Sequence, residues 1–369
     1  MINLARQVTC IRKCRDNNNK IRYYILRDDK LFGSVDLIIS DELKLLMKER
    51  RIKVSNLKLS IKGSIIDNNG GCPGEDDIAF LPSWLIKDLN CQKHLTFNSK
   101  LSKQQLQQLI MKAELMNCDI KQWDNLVIIE SVDRIMINSI GDILLLDDLY
   151  DKYDDIITSE RGAFKDTEFK SINLKGLNTS YMRSFNNMFR RCKTDAINLC
   201  NTKTGNVTEA SGMFADCTAK SIQFGLTNFI NLLDTSYMFA GCKLKTLDLS
   251  QWIAGNIFVA NCMFLSAQID KLNVQSLINN KVQNLENMFA GFKTPGILDL
   301  NSFCIDSDST WLAKSMFNRC EAKEIWLQNF YIKPYVNHTY MFERCKADVY
   351  GPEVLSTLGA NYKGRIPKC

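Results

Sequence analysis

The sequence predicts an α/β solenoid built on a parallel sheet and preceded by a small α+β module, and three observations carry that prediction. The pair Met-Phe recurs at 188, 213, 238, 263, 288, 316 and 341, at intervals of 25 residues broken once by 28. An apolar-x-apolar triplet stands 16 residues ahead of each pair, or 18 ahead of Met316: Ile172-Asn-Leu174, Ile197-Asn-Leu199, Ile222-Gln-Phe224, Leu247-Asp-Leu249, Leu272-Asn-Val274, Leu298-Asp-Leu300 and Ile325-Trp-Leu327. The extra residues of the long interval fall at Pro295-Gly296 and Asp306–Thr310, which is loop chemistry. A unit with one strand and one short helical piece cannot bury its own apolar face, whereas stacked units can.

Within the unit, the alternating triplet suits a strand with two residues inward and one outward. The stretch Ser236-Tyr-Met-Phe-Ala-Gly-Cys242 suits a short helix or one 3₁₀ turn. Cys192, Cys217, Cys242, Cys320 and Cys345 follow the repeat Met by four residues, and Ala267 and Phe292 replace them in two coils. A position that accepts Ala and Phe wants an apolar filler, so these cysteines read as reduced core thiols rather than metal ligands. The Met-Phe pairs likewise read as core.

Upstream, residues 1–66 read as the basic α+β module, 67–92 as a linker or cap and 93–350 as the solenoid, with irregular coils over 93–166 and seven regular ones over 167–350; residues 351–369 read as a C-terminal cap. In the head, Val8 to Arg15 and Ile21 to Leu26 flank Asp16-Asn-Asn-Asn-Lys20, a hairpin signal, followed by a helix over Ser40–Arg51 and a strand over Ile52–Lys62. Asn68-Asn-Gly-Gly-Cys-Pro-Gly-Glu-Asp-Asp77 is turn chemistry. His94–Asn98 reads as a strand, and Ser102 to Leu115 as an amphipathic helix capped by Ser102. Asn125–Glu130, Arg134–Asn138 and Asp142–Leu146 read as strands buried in the same parallel sheet. The acidic run Asp147–Asp155 lacks the Gly and the Glu of an EF-hand loop and reads as a solvated helix end.

The repeat resembles the BspA-type leucine-rich repeat of bacterial surface proteins. The resemblance rests on Tyr237-Met-Phe-Ala-Gly-Cys242 followed by Leu247-Asp-Leu-Ser-Gln-Trp252, on Thr208 to Phe214, and on Val282-Gln-Asn-Leu-Glu-Asn-Met-Phe289, and it spans about residues 167–350. It implies a leucine-rich-repeat array that binds rather than catalyses, often by adhesion to host proteins. The head is similar to N-terminal segments of bacterial mobile-element proteins, through its hairpin–helix–strand order and Val54-Ser-Asn-Leu-Lys-Leu59.

Composition narrows the function. The start of the chain reaches Arg6, Arg12 and Lys13 without an apolar run, and no stretch approaches the roughly 18 uncharged apolar residues of a membrane span. The expectation is a cytoplasmic protein. There is no phosphate-binding GxxxxGK[ST], HExxH, GxSxG or GxGxxG, no CxxC and only two histidines, so no enzyme, cofactor or metal site is expected. Net charge is +6 overall, distributed as +8 over residues 1–66, −9 over 67–169 and +7 over 170–369.

Two sets of candidate contact residues follow. The outward triplet residues Asn173, Asn198, Gln223, Asp248, Asn273, Asp299 and Trp326 form one exposed column. Trp326 is either an interface anchor or a residue covered by Gly351–Cys369. The second set is basic: Arg12, Lys13, Arg15, Arg22 and Arg27, with Tyr24 on the face of Arg22, can grip phosphate and stack on bases, and Arg190, Arg191, Arg319 and Arg344 offer a strip at the turns. Together they point to a binding protein that docks on and blocks a protein or ribonucleoprotein, as a phage or mobile-element inhibitor of a bacterial defence complex would. The alternatives are a BspA-type surface adhesin and a direct nucleic-acid binder.

Overall fold

The structure is a computed structural model that describes residues 8–15, 21–27, 31–35, 78–81, 86, 89, 91–123, 126–145, 162–180, 182–275, 277, 282–302, 312–330 and 335–366. It divides into two units, one formed by 1–89 with 96–160 and the other by 90–95 with 161–369. The predicted helix Ser40–Arg51, the strand Ile52–Lys62, the turn-rich Asn68–Asp77 and the acidic run Asp147–Asp155 lie outside the described residues.

In the first unit, Val8–Arg15 and Ile21–Arg27 form the expected antiparallel hairpin, and Leu31–Val35, which the sequence reading missed, adds a third strand. The stretch read as linker contains a strand, Ile78–Leu81, paired in parallel with Asp142–Leu145. Ser102 caps the helix Lys103–Leu115 with a full capping box: the Gln105 amide donates to its hydroxyl at 3.1 Å, and its own amide donates to Gln105 Oε1 at 2.8 Å. Leu106 and Ala113 of this helix pack against Val127 and Ile129.

The strands Asp119–Trp123, Leu126–Glu130 and Arg134–Ser139 are antiparallel, which corrects the expectation of parallel solenoid coils here. The cause is connection length. Only Ser131, Val132 and Asp133 join the second strand to the third, whereas a parallel pair needs a crossover of a dozen residues or so.

The second unit is the solenoid, and its strands are parallel, as expected. Residues 25 apart pair directly: Ile172 with Ile197, Ile197 with Ile222, Ile222 with Leu247 and Leu247 with Leu272. Each coil is named here by the Met of its Met-Phe pair, and its triplet follows that Met by nine or ten residues. Behind the sheet the repeat phenylalanines form one stack, Phe164, Phe189, Phe214, Phe239, Phe264, Phe289, Phe317 and Phe342, with neighbouring centroids 4.9–5.7 Å apart and planes within 11°. Phe164 belongs to a turn whose Met is replaced by Ala163, so the array extends one turn ahead of the first Met-Phe pair. The C-terminal residues cap the sheet: Tyr362–Gly364 pairs with Lys346–Tyr350.

Of the two forms expected for the Met-Phe element, the short helix is overturned: the element is a series of single three-residue turns. Left-handed residues bracket it in every coil. Asn187, Gly212, Tyr237, Cys262, Asn287, Ser315 and Tyr340 precede the Met at φ 55° to 61°, and Arg191, Asp216, Gly241, Ser266, Gly291, Arg319 and Arg344 follow it by three residues at φ 55° to 65°. A helix cannot run through such positions. Backbone bonds instead alternate between local turns and the next coil: Met213 N–H donates to Ala210 O at 3.2 Å, Phe214 N–H to Met238 O at 2.7 Å and Ala215 N–H to Gly212 O at 3.0 Å.

At one of these positions the available space favours glycine beyond what φ alone does, since the same φ is held by Arg, Asp or Ser in other coils. A Cβ on Gly241, at φ +65°, would lie 2.2 Å from Asp216 Oδ1 in the coil before, whereas one on Gly205 meets nothing nearer than 3.8 Å. Gly241→Ala should therefore cost about 1–3 kcal/mol in urea unfolding, and Gly205→Ala should cost nothing or stabilise by up to about 1 kcal/mol.

Candidate functional site

In-register pairing places outward triplet residues of the predicted column opposite each other in two runs, Asn173 to Asn273 and Asp299 to Trp326, for example Asn173 beside Asn198 and Asp299 beside Trp326, and the strands of Asn273 and Asp299 do not pair. The column's chemistry is tied to the fold. Asn173 Oδ1 accepts from the Lys175 amide at 3.1 Å, Asn198 from Cys200 at 3.0 Å, Asp248 from Ser250 at 2.9 Å, Asn273 from Gln275 at 3.2 Å and Asp299 from Asn301 at 3.0 Å. Each is an Asx turn that satisfies an amide where the strand ends. One oxygen of these five side chains is thereby engaged. Gln223 is exposed and makes no such turn among the described residues. Trp326 is half-buried between Asp299 and Tyr350, and its Nε1 donates to Glu324 Oε2 at 2.8 Å.

The basic residues are distributed more widely than a strip. Arg191, Arg319 and Arg344 occupy the second left-handed column, but Asp216, Gly241, Ser266 and Gly291 lie between the first two. Arg191 makes a two-pronged pair with Asp166, Nε to Oδ1 at 2.5 Å and Nη2 to Oδ2 at 2.8 Å. Arg190 Nη1 donates to Asn187 Oδ1 at 3.3 Å. Only Arg319 and Arg344 are neighbours in the column. In the head, hairpin pairing sets Arg12 opposite Tyr24, Lys13 opposite Tyr23, Cys14 opposite Arg22 and Arg15 opposite Ile21, with Arg27 opposite Val8.

Sequence reading missed two charge ladders on the sheet face. Asp195 Oδ2 is 2.8 Å from Lys170 Nζ and its Oδ1 is 2.9 Å from Lys220 Nζ, and Glu321 lies between Lys293 at 3.3 Å and Lys346 at 3.1 Å. The hydrogen bonds from Lys170 and then Lys220 pull the Asp195 carboxyl down to about 2, and those from Lys346 and Lys293 lower Glu321. The signal was available, because Lys170, Asp195 and Lys220 stand 25 residues apart.

The repeat cysteines are free, and Cys192, Cys217, Cys242, Cys262 and Cys320 are buried. Burial pushes the Cys242 thiol up. A hydrogen bond with Cys192 and burial do the same for Cys217, and a hydrogen bond with Cys345 and burial for Cys320, so these three stay protonated at neutral pH.

The family model described as Mycoplasma protein of unknown function, DUF285, matches residues 158–276 and again 233–350. The two matches jointly cover residues 158–350, more than half of the 369. The chain belongs to the DUF285 family. The DUF285 match begins ahead of Ala163-Phe164, so it includes the turn that the Met-Phe spacing alone left out. No curated protein and no solved structure matches the chain.

Two outcomes follow for the column and the ladders. Asn198→Ala removes the acceptor of the Cys200 amide and should cost about 1 kcal/mol in urea unfolding, whereas Gln223→Ala should stay within about 0.5 kcal/mol. Because the folded Asp195 carboxyl titrates below its unfolded value, its contribution is complete above about pH 4 and is lost as pH falls through about 2. The unfolding midpoints of wild type and Asp195→Asn should therefore differ above pH 4, converge near pH 2, and lie closer in high salt.

Proposed function

We propose that this protein is a non-catalytic binding protein of the BspA type that holds a macromolecular partner on the exposed face of its solenoid. The observation that supports this reading is the register. Residues 25 apart sit side by side, so one sequence position becomes a column along the sheet, interrupted once between Asn273 and Asp299, which suits multipoint recognition of an extended surface. The inward positions are filled by stacked Phe, Met, Cys and aliphatic side chains, and the chemistry presented outward is that of contact.

In its finer form the proposal is an inhibitor that docks on a protein or ribonucleoprotein of a bacterial defence complex inside the cell. The alternating charge blocks of +8, −9 and +7 suit a target with both phosphate and basic surface. The family resemblance supports the other form, an adhesin facing host proteins. A direct nucleic-acid role draws on the hairpin register, which sets Arg12 and Lys13 opposite Tyr24 and Tyr23.

Affinity capture by the full chain from a bacterial lysate, with and without nuclease, and in parallel from host extracellular proteins, separates these forms. A bacterial protein retained after nuclease supports the inhibitor, and a host surface protein supports the adhesin. Retained nucleic acid whose affinity falls steeply with salt points to direct binding. Capture of nothing in any arm removes the binding reading.

A further inference from the structure

The sheet of the solenoid is split once. Strands pair in register from Ser171–Asn173 to Gln268–Asn273, and again from Ile297–Asp299 onward, but Gln268–Asn273 and Ile297–Asp299 belong to separate ladders. The sequence explains the break. In regular coils the amide at this position donates one coil back, Asp195 to Lys170 O at 3.0 Å and Lys220 to Asp195 O at 2.9 Å. Pro295 stands there in the Met288 coil and has no N–H. Among the described residues only the Thr294 hydroxyl reaches Asp270 O there, at 3.2 Å, as Thr194 also reaches Lys170 O at 3.4 Å beside the amide bond, and the inserted Gly296 carries the ladder forward by accepting from Lys323 N–H at 3.0 Å.

The far end of the triplet has the same defect. Leu174, Leu199 and Leu249 donate forward to Asn198, Gln223 and Asn273 carbonyls at 2.8, 2.7 and 2.8 Å; Val274 has no counterpart bond among the described residues, and neither has Phe224, but only at Val274 is the pairing of the preceding triplet residues lost as well. The coils remain joined at the base of the split, through Ile269 N–H to Lys293 O at 3.0 Å, and along the Met-Phe wall, through Phe264 N–H to Met288 O at 2.8 Å. What results is a notch of about 760 Å³, lined by Leu247, Lys271, Leu272, Gly296 and Ile297 among others. Ile172, Ile197, Ile222, Leu247, Leu298 and Ile325 are at most 4% exposed, whereas Leu272, in the same inward column, is only half-buried and Ile297 is 39% exposed.

We propose that this notch accepts one extended strand from a partner protein, with an acidic–aliphatic–basic core; this rests on the binding reading above and names what is bound. Two facing strand edges without each other's hydrogen bonds are a template for strand addition. In the register of a missing coil, the aliphatic residue lies between Leu272 and Leu298 and covers the uncovered leucine. The residue before it lies beside Lys271, and the residue after it beside Asp299. Lys170, Lys220, Lys293 and Lys346 are each held by a carboxylate, but Lys271 and Asp299 have no ion-pair partner among the described residues. An acid and a base at those two places complement both.

The test is fluorescence anisotropy of the full chain with labelled, end-blocked nonapeptides of Thr and Val around a Glu-Leu-Lys core. The expected result is saturable binding, weaker by about two- to tenfold for the reversed core Lys-Leu-Glu and lost when the core amides are N-methylated. Lys271→Glu, an exposed change that leaves the fold intact, should narrow or invert the preference between the two cores. Pro295→Lys combined with deletion of Gly296 restores the regular spacing and should abolish binding without lowering the unfolding midpoint. No binding by wild type, equal binding of both cores, or binding unaffected by N-methylation overturns the proposal, as does concentration-dependent self-association in sedimentation that the peptide fails to displace. If the lysate partner is captured equally by wild type and Lys271→Glu, and the peptides do not bind, the notch proposal falls and the binding reading stands.

Discussion

Everything in the solenoid depends on one constraint, that a coil can satisfy its backbone and bury its apolar side chains only against an almost identical coil. The triplet strand is three residues long in several coils, far too short to persist alone. On its other wall, the turn around Met-Phe uses every second amide for the neighbouring coil. Hydrogen bonding and packing therefore have the same period. A phenylalanine that stacks on the next at about 5 Å also sits where the backbone ladder requires it.

That coupling explains which residues vary and which do not. The Phe position faces inward on both neighbours and is Phe in every turn of the stack, the Met position is Met except at Ala163, and the thiol position holds Cys, Ala or Phe, all buried or half-buried between coils. The left-handed positions tolerate Tyr, Cys and Arg as well as Gly and Asn. Each such non-glycine residue stores strain of about 1 kcal/mol or more, which the bonds on either side hold in place. The outward triplet position prefers Asn or Asp because the strand must end two residues later.

The period made most of the fold legible in the sequence: seven Met-Phe pairs and seven triplets yield the strand, the stack and the register without further information. Other features are not carried by the period alone. Asn125–Glu130 and Arg134–Asn138 have the apolar runs of a parallel sheet, but the three-residue connection between the strands permits only an antiparallel pair. The turn at Ala163-Phe164 lacks the Met that marks the others. The polar column was legible as a column, but its Asx turns were not, because a short polar residue facing solvent looks the same whether it awaits a partner or ends a strand. The Lys-Asp-Lys ladders were readable by aligning the repeats, and they emerge only when charge is compared across coils rather than summed along the chain.

Pro295 also bears on how the array comes apart. A solenoid behaves as a one-dimensional chain of units whose cooperativity lies in the contacts between neighbours. The boundary between the Met263 and Met288 coils keeps its Phe stack, at 5.1 Å between Phe264 and Phe289, but has lost sheet bonds that neighbouring boundaries retain. Fewer sheet bonds at one boundary make it the place where a one-dimensional array is expected to part into two cooperative blocks. If the C-terminal block opens and recloses by itself, its buried amides exchange at rates set by that local event instead of by global unfolding.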